Sequence, residues 1–164
     1  MNIRQAGIED LERVVEIYNS SIEWRLSTAD TSPVSVESRK DWLLSHTESR
    51  PLLLCVNSEH IYGWISIEGY KDRPAYKNTV ELTIYVDHIH LGKGIGTQML
   101  SNAVTLLPSL GVKSAIANIY SHNEASIRLF RNFGFKQWGE LPEVCEMDGR
   151  NYSVSIFGLK IQQT

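Results

Sequence analysis

Apolar and polar residues alternate without a break along residues 79–87. Val80, Leu82, Ile84 and Val86 fall on one side, and Thr79, Glu81, Thr83 and Tyr85 on the other. Successive side chains of an extended chain point to opposite faces, so this period of two predicts a half-buried strand. Shorter stretches read the same way: "NIRQA", "PLLLCVN", "IYGWISIEGY", "KSAIANIY", "KQWGE" and "YSVSIFGLKI". The second and third of these flank a turn at Asn57-Ser58-Glu59, and Asp148-Gly149 forms a hairpin-like turn near the end. Elsewhere the period lengthens. Leu11, Val14, Val15 and Tyr18 recur at helical spacing within "IEDLERVVEIYNSSI", whose first turn is acidic. "VESRKDWLLSHT" predicts a second helix. "GTQMLSNAVTLLPSL" predicts a third that stops near Pro108. "NEASIRLFRNFGF" predicts a fourth, with Asn123 as its N-cap and Gly134 at its stop. The order β-α-α-β-β-β-α-β-α-β-β predicts one α/β domain over residues 1–164, built on a single sheet.

Composition narrows the function without naming it. The chain has 164 residues, 42% hydrophobic and 21% charged, enough for one true core and unlike a disordered segment. The net charge is −3 and no long basic stretch exists, which argues against a nucleic-acid partner. No apolar run approaches the roughly 20 residues that span a bilayer. The first residues, "MNIRQAGIED", lack the apolar core of a signal peptide, so a soluble cytoplasmic protein is expected. Cys55 and Cys145 make no disulfide framework, and Cys55 in "LLLCV" reads as a buried thiol. His88 and His90 lack further ligands nearby, so no metal is expected. Trp24, Trp42, Trp64 and Trp138 are spread along the chain and read mostly as core residues, with Trp24 a candidate for the edge of a binding pocket.

The stretch "HLGKGIGTQML" follows the strongest strand and opens the third helix. Its glycines, Gly92, Gly94 and Gly96, fit neither G-x-G-x-x-G nor the P-loop, because Lys93 is followed by glycine. Two readings remain. The turn is an anion cradle, in which main-chain N–H groups and the helix dipole converge on a phosphate and Lys93 adds charge. Or it is a tight turn that needs glycine only for its dihedrals.

Two further patterns bear on that choice. Asn123, Ser126, Leu129, Gly134 and Phe135 form N-x-x-S-x-x-L-x-x-x-x-G-F. With "YVDHIHLGKGIGTQML" upstream, this resembles the GNAT superfamily of acyl-CoA-dependent N-acetyltransferases. "IRQAGIEDLERVVEIYNSSI", "DTSPVSVESRKDW", "RPAYKNTVELTIYV" and "SIRLFRNFGF" fall in the order and spacing of its phosphinothricin acetyltransferase-like branch. The resemblance runs from about residue 2 to 160. It implies a mixed, mostly antiparallel sheet flanked by helices and splayed at a bulge in the strand before the glycine turn. Gly92, Lys93, Gly94, Ile95, Gly96 and Thr97 would hold the pyrophosphate of acetyl-CoA. Ile84, Tyr85 and Val86 would pair with its pantetheine arm, and Asn123 and Ser126 would contact it from the far side. A homodimer built through the C-terminal segment is implied as well.

The chain departs from that pattern at three positions. Leu91 stands where the superfamily usually has Arg or Gln. Ala29 precedes the Asp30-Thr31 pair where the branch often has an aromatic residue. Phe130 stands where many members carry the Tyr, or the branch a His, that protonates the leaving thiolate. Phe130 has no proton to give, which leaves Tyr85, Tyr120, water or an unassisted departure.

Acetyl transfer needs a neutral amine, and an alkyl ammonium near pKa ~10 must first lose a proton. Glu81 is the candidate base, on the polar face of the strand that enters the glycine turn; its alternative is a solvent-facing glutamate. The branch uses a Glu at this position. Main-chain N–H groups near Val86 are candidates to polarise the thioester. In this branch the loop before that strand carries basic residues that take an acceptor carboxylate, which implies that role for Arg73 of "YKDRPAY", whose guanidinium fork matches the group, with Lys71 assisting and Tyr76 lining the pocket. A solvated polar loop is the plain alternative. The expected activity is acetyl transfer to a small amino-acid-like amine. A polyamine or protein N-terminus as acceptor, or a non-catalytic acyl-CoA-binding module, are the competing readings.

Overall fold

The structure, a computed structural model, describes residues 1–162. Seven strands form one sheet in the order β1-β2-β3-β4-β5-β7-β6. They are β1 (Asn2–Gln5), β2 (Leu52–Val56), β3 (Ile61–Gly69), β4 (Thr79–Val86), β5 (Ser114–Tyr120), β6 (Lys136–Met147) and β7 (Arg150–Lys160). Every neighbouring pair is antiparallel except β4–β5. The helices are α1 (Leu11–Ser20), α2 (Lys40–Leu44), α3 (Ile95–Leu106) and α4 (Glu124–Asn132).

The alternation in β4 feeds two cores. Val80 and Leu82 join Ile65, Ile67, Ala115, Ala117 and the buried stripe of α3 (Ile95, Met99, Leu100, Ala103) on one face. Tyr85 joins Trp64, Leu52, Leu54 and the buried stripe of α1 on the other. Burying both faces fixes the register, because a slip of one residue would exchange the two sets.

Two elements differ from their sequence reading. Residues 36–47 give only a 3-10 turn at Glu37–Arg39 and the short α2. The strand expected at "KQWGE" continues to Met147, with register shifts at Gln137/Gly139 and Leu141/Cys145 and Glu143 at φ 48°. These irregularities break the period of two that reveals a strand. The tryptophans divide: Trp64 is buried, while Trp24 and Trp138 are about half exposed (54% and 47%).

The sheet splits in its middle. β4 keeps one continuous register with β3 from Val80 to Val86, and β5 pairs with β7 from Ser114 to Tyr120. Between β4 and β5, pairing covers only Thr79–Ser114, Val80–Ala115 and Glu81–Ile116. The resemblance implies a splay at a bulge around Ile84 to Val86; the strands do part, but already after Glu81 and with the β3–β4 ladder intact, because β4 follows β3 and β5 follows β7.

Candidate active site

The parting leaves unpaired backbone facing a gap. Asp87 N–H bonds Tyr62 O at 2.9 Å, which sets the phase of the β3–β4 ladder. In an antiparallel pair the bonded positions alternate, so Tyr85, Thr83 and Glu81 bond to β3. The N–H and C=O of Ile84 and Val86 therefore point toward the gap, where β5 has turned away. An extended ligand can add itself there as a strand would.

Two adjoining cavities of about 340 Å³ each occupy this region. One is lined by Glu81 to Tyr85 of β4, Ala117 to Tyr120 of β5, Ala29, Phe130 and Cys145. The other runs along Ile84, Tyr85, Val86, Gly92, Gly94, Ile95, Gly96 and Thr97, with Trp24 and Leu129. Leu26, Ser27, Ile84, Tyr85, Asn123 and Ser126 line both, so the two form one cleft.

The glycine turn sits at the far end of that cleft. Gly92 and Gly94 have φ of 74° and 78°, a region costly for residues with a Cβ, and α3 begins directly after Gly94. Their dihedrals therefore account for the two glycines, and the first residues of α3, whose N–H groups have no partner within the helix, line the cleft. Upstream, Asp87 caps the turn His88–His90 by accepting from Ile89 N at 3.3 Å. Its carboxylate also pairs with Arg13 of α1. Burial pushes the Asp87 carboxyl upward, but Arg13 and the Ile89 N–H outweigh it and hold it below the usual carboxylate range. Lys93 lies beside His90, Nζ to Nδ1 3.3 Å, and Leu91 is exposed.

A span from Arg25 to Ala29 roofs the cleft and is tied to both halves of the sheet. Tyr85 Oη donates to Ser27 O at 2.9 Å. Asn123 Nδ2 donates to Leu26 O at 2.9 Å, while its Oδ1 caps α4 by accepting from Ser126 N at 3.1 Å. His122 bonds Arg25 O at 2.8 Å, and the Arg25 guanidinium pairs with Asp148 at 2.8 Å. Sequence reasoning had Asn123 as a cap and as a ligand contact; the structure gives its side chain the cap and the roof.

Glu81 lines the cleft at the last paired residue of β4 and accepts from Asn118 Nδ2 at 2.9 Å. Across β3 its partner in register is Glu68, whose carboxylate takes Trp42 Nε1 at 3.1 Å and lies 3.7 Å from His46 Nε2. His46 first, then Trp42, hold the Glu68 carboxyl below its ordinary range against the effect of burial. Glu68 belongs to a third cavity of about 310 Å³, with Tyr18, Arg39, Trp42 and Trp64, which meets the cleft at Thr83 and Tyr85.

Phe130 is buried edge-to-face on Phe135, ring centroids 5.0 Å apart. Of the phenols in the cleft, Tyr85 is raised well above an ordinary tyrosine by burial. Tyr120 is pushed up to about 12, by burial first and by Cys145 second. Lys71, Arg73 and Tyr76 lie apart, on the exposed loop between β3 and β4, and line none of these three cavities. Lys71 Nζ sits over the rings of Tyr70 and Tyr76 at 5.4 and 5.6 Å. Sequence reasoning missed Asn118 and the roof. The signal for Asn118 was a lone polar residue in the apolar run "AIANI".

The model of the acetyltransferase (GNAT) family matches residues 11–135, most of the chain. The chain belongs to that family. It is an acetyltransferase by this match and by its relatives. YwnH of Bacillus subtilis, provisionally named a phosphinothricin acetyltransferase, is 44% identical over 98% of this chain and 99% of its own. The phosphinothricin N-acetyltransferase of Streptomyces coelicolor is 35% identical over 96% of this chain and 94% of its own. The L-methionine sulfoximine/L-methionine sulfone acetyltransferase of Pseudomonas paraeruginosa is 28% identical over 99% and 96%. A crystal structure provisionally named a phosphinothricin N-acetyltransferase superposes with TM-score 0.96 at 44% identity over 99% of both chains. The phosphinothricin acetyltransferase of Sinorhizobium meliloti, solved with acetyl-CoA, gives TM-score 0.92 at 26% identity over 98% of this chain and 88% of that one. Among the described residues no helix is long and apolar enough to cross a membrane.

Proposed function

We propose that this acetyltransferase moves the acetyl group of acetyl-CoA to the amine of a small amino-acid-like acceptor, of the phosphinothricin or methionine sulfoximine type, with Glu81 as general base. The observation that carries the reading is the placing of a carboxylate where the sheet opens, three residues before the Ile84 and Val86 backbone groups that are free to pair with an extended ligand. Ile84 and Val86 align the pantetheine arm, and Gly92 to Thr97 cradle the pyrophosphate. Asn123 and Ser126 border the arm from α4.

Glu81 takes the proton of the acceptor ammonium and frees the lone pair that attacks the acetyl carbon. The Val86 N–H steadies the oxyanion, and the thiolate departs without a side-chain acid. A phenol near pKa 12 gives its proton to a thiolate of conjugate acid near ~8.5 only uphill, by more than three powers of ten. Tyr85 is no better placed, since burial raises it and its proton is engaged with Ser27.

The acceptor's anionic contact falls to Arg73 with Lys71, and Tyr76 lines its pocket; since this exposed β3–β4 loop lines none of the three cavities, it has to approach the cleft when the acceptor binds. We further propose a cytoplasmic homodimer, in which the exposed Trp138, Leu141 and Val144 of β6 are covered by a second copy.

The deciding experiment measures thiol release from acetyl-CoA across a panel of amino acids, methionine sulfoximine, phosphinothricin, polyamines and a peptide N-terminus, with Glu81→Gln alongside. Turnover confined to amino-acid-like amines and lost in the variant is expected. A polyamine or peptide preference would replace the acceptor class. Tight coenzyme binding with no turnover on any amine would make the chain a binding module.

A further inference from the structure

Asn118 stands at a particular place in the seam. The β5 residues Ala115, Ala117 and Ile119 face the core under α3 and α4, so Ile116, Asn118 and Tyr120 face the other way, with Glu81. Backbone pairing between the strands ends at Glu81–Ile116, and Asn118 is the next residue of that face. Its amide reaches across the opening gap to Glu81 Oε1 at 2.9 Å, a side-chain rung beyond the last backbone rung. An ionised carboxylate only accepts, so the amide must present its NH2 group.

On its other side Glu81 has Glu68 as its cross-strand neighbour. Like charges at directly opposed positions destabilise a sheet. Here the two carboxylates are drawn apart, Glu68 toward Trp42 and His46, Glu81 toward Asn118. Oε1 of Glu81 is thereby occupied, and Oε2 is the oxygen left for an incoming proton.

We infer that Asn118 is the positioning residue of the base: it turns the Glu81 carboxylate out of the field of Glu68 into the cleft, with Oε2 left toward the acceptor. The inference rests on the reading of Glu81 as general base.

The test compares pH profiles of kcat/KM for the amine in the parent, Asn118→Ala and Asn118→Asp. Aspartate preserves the shape of asparagine and replaces the donor by a second carboxyl group. The acid limb of Asn118→Asp should move up by about 1–2 pH units, with activity recovering toward the alkaline side. Asn118→Ala should lose about tenfold on the plateau through misaimed carboxylates, with a smaller move of the limb. The KM for acetyl-CoA should stay within twofold in both. A 13C-carboxyl NMR titration of Glu81 in the parent and in Asn118→Asp reads the same effect without turnover, and should show an upward displacement. Superimposable profiles, or superimposable titrations where no amine turns over, overturn the inference. Glu81→Gln separates the two layers. If that variant is as active as the parent, the base assignment falls. If it is inactive while Asn118→Asp titrates like the parent, the base stands and the role of Asn118 falls.

Discussion

Strand β4 is bonded to β3 along nearly its whole length and to β5 for three residues only. The two edges of one short strand thus have opposite duties. On the β3 side, backbone groups are spent on the fold, and the aromatic residues Trp64 and Tyr85 pack over them, centroids 4.7 Å apart. On the β5 side, the groups of Ile84 and Val86 have no strand partner, and the proposed function gives them to the ligand. A single alternation of residues serves both, because odd and even positions of an antiparallel strand bond in opposite directions. Stability and recognition are therefore separable at neighbouring residues of the same strand.

The largest effect expected from this division is chemical. Glu81→Gln keeps the shape of the rung and removes the proposed base, so kcat should fall by about 10²–10⁴. Coenzyme affinity, measured by calorimetry, should change little. A proline scan addresses the backbone directly. Val86→Pro removes an N–H that β3 does not use, and should cost roughly 10²-fold in kcat by the loss of the proposed oxyanion donor. Tyr85→Pro removes a β3 rung and should instead lower the melting temperature and the yield of folded protein. Equal thermal loss in the two variants would contradict the assignment of edges.

Smaller effects are expected at the ends of the cleft. Gly94→Ala places a Cβ at φ 78°, a strain of about 1–2 kcal/mol. The KM for acetyl-CoA should rise several-fold, with kcat at saturation nearly kept. Asp87→Asn should be the mildest for catalysis and should show in a pH series of melts. The Asp87 carboxyl is held below its ordinary value in the folded chain, so its contribution is complete above the unfolded value near 4 and is lost as pH falls through the folded one. The variant should be less stable by about 1–3 kcal/mol at pH 7 and should converge with the parent in acid.

Much of the architecture is written in local patterns. The strict period in β4, the helical stripe at Leu11, Val14 and Val15, and the Asn123 cap each encode their element within a few residues. The continuation of β6 past Glu140 is not local, because its bulges and the positive φ of Glu143 erase the period. α2 shrinks to five residues because part of its expected length is taken by the 3-10 turn before it. At the candidate site, Glu81 and the glycine turn were legible as positions on a strand and a strand-to-helix turn, and the structure sets both on the cleft. Asn118 was not, because its meaning lies in a contact with a residue 37 positions away across a parallel seam. The roof was invisible for the same reason: Arg25 to Ala29 read as a polar connection, and only the third dimension brings it over Tyr85 and Asn123.

The unpaired stretch of β4 has one more consequence. It is an edge strand located in the middle of a sheet, and exposed edges recruit the strands of other chains. The sheet's outer edges can be guarded by bulges, as β6 is; an interior edge cannot be distorted without closing the cleft. The tied span above it, pinned through Ser27, Leu26 and Arg25, serves as the guard instead. The hydrogen bonds that hold this span over the cleft thus also cover a row of unpaired backbone groups, the kind of edge that otherwise attracts a neighbour's strand.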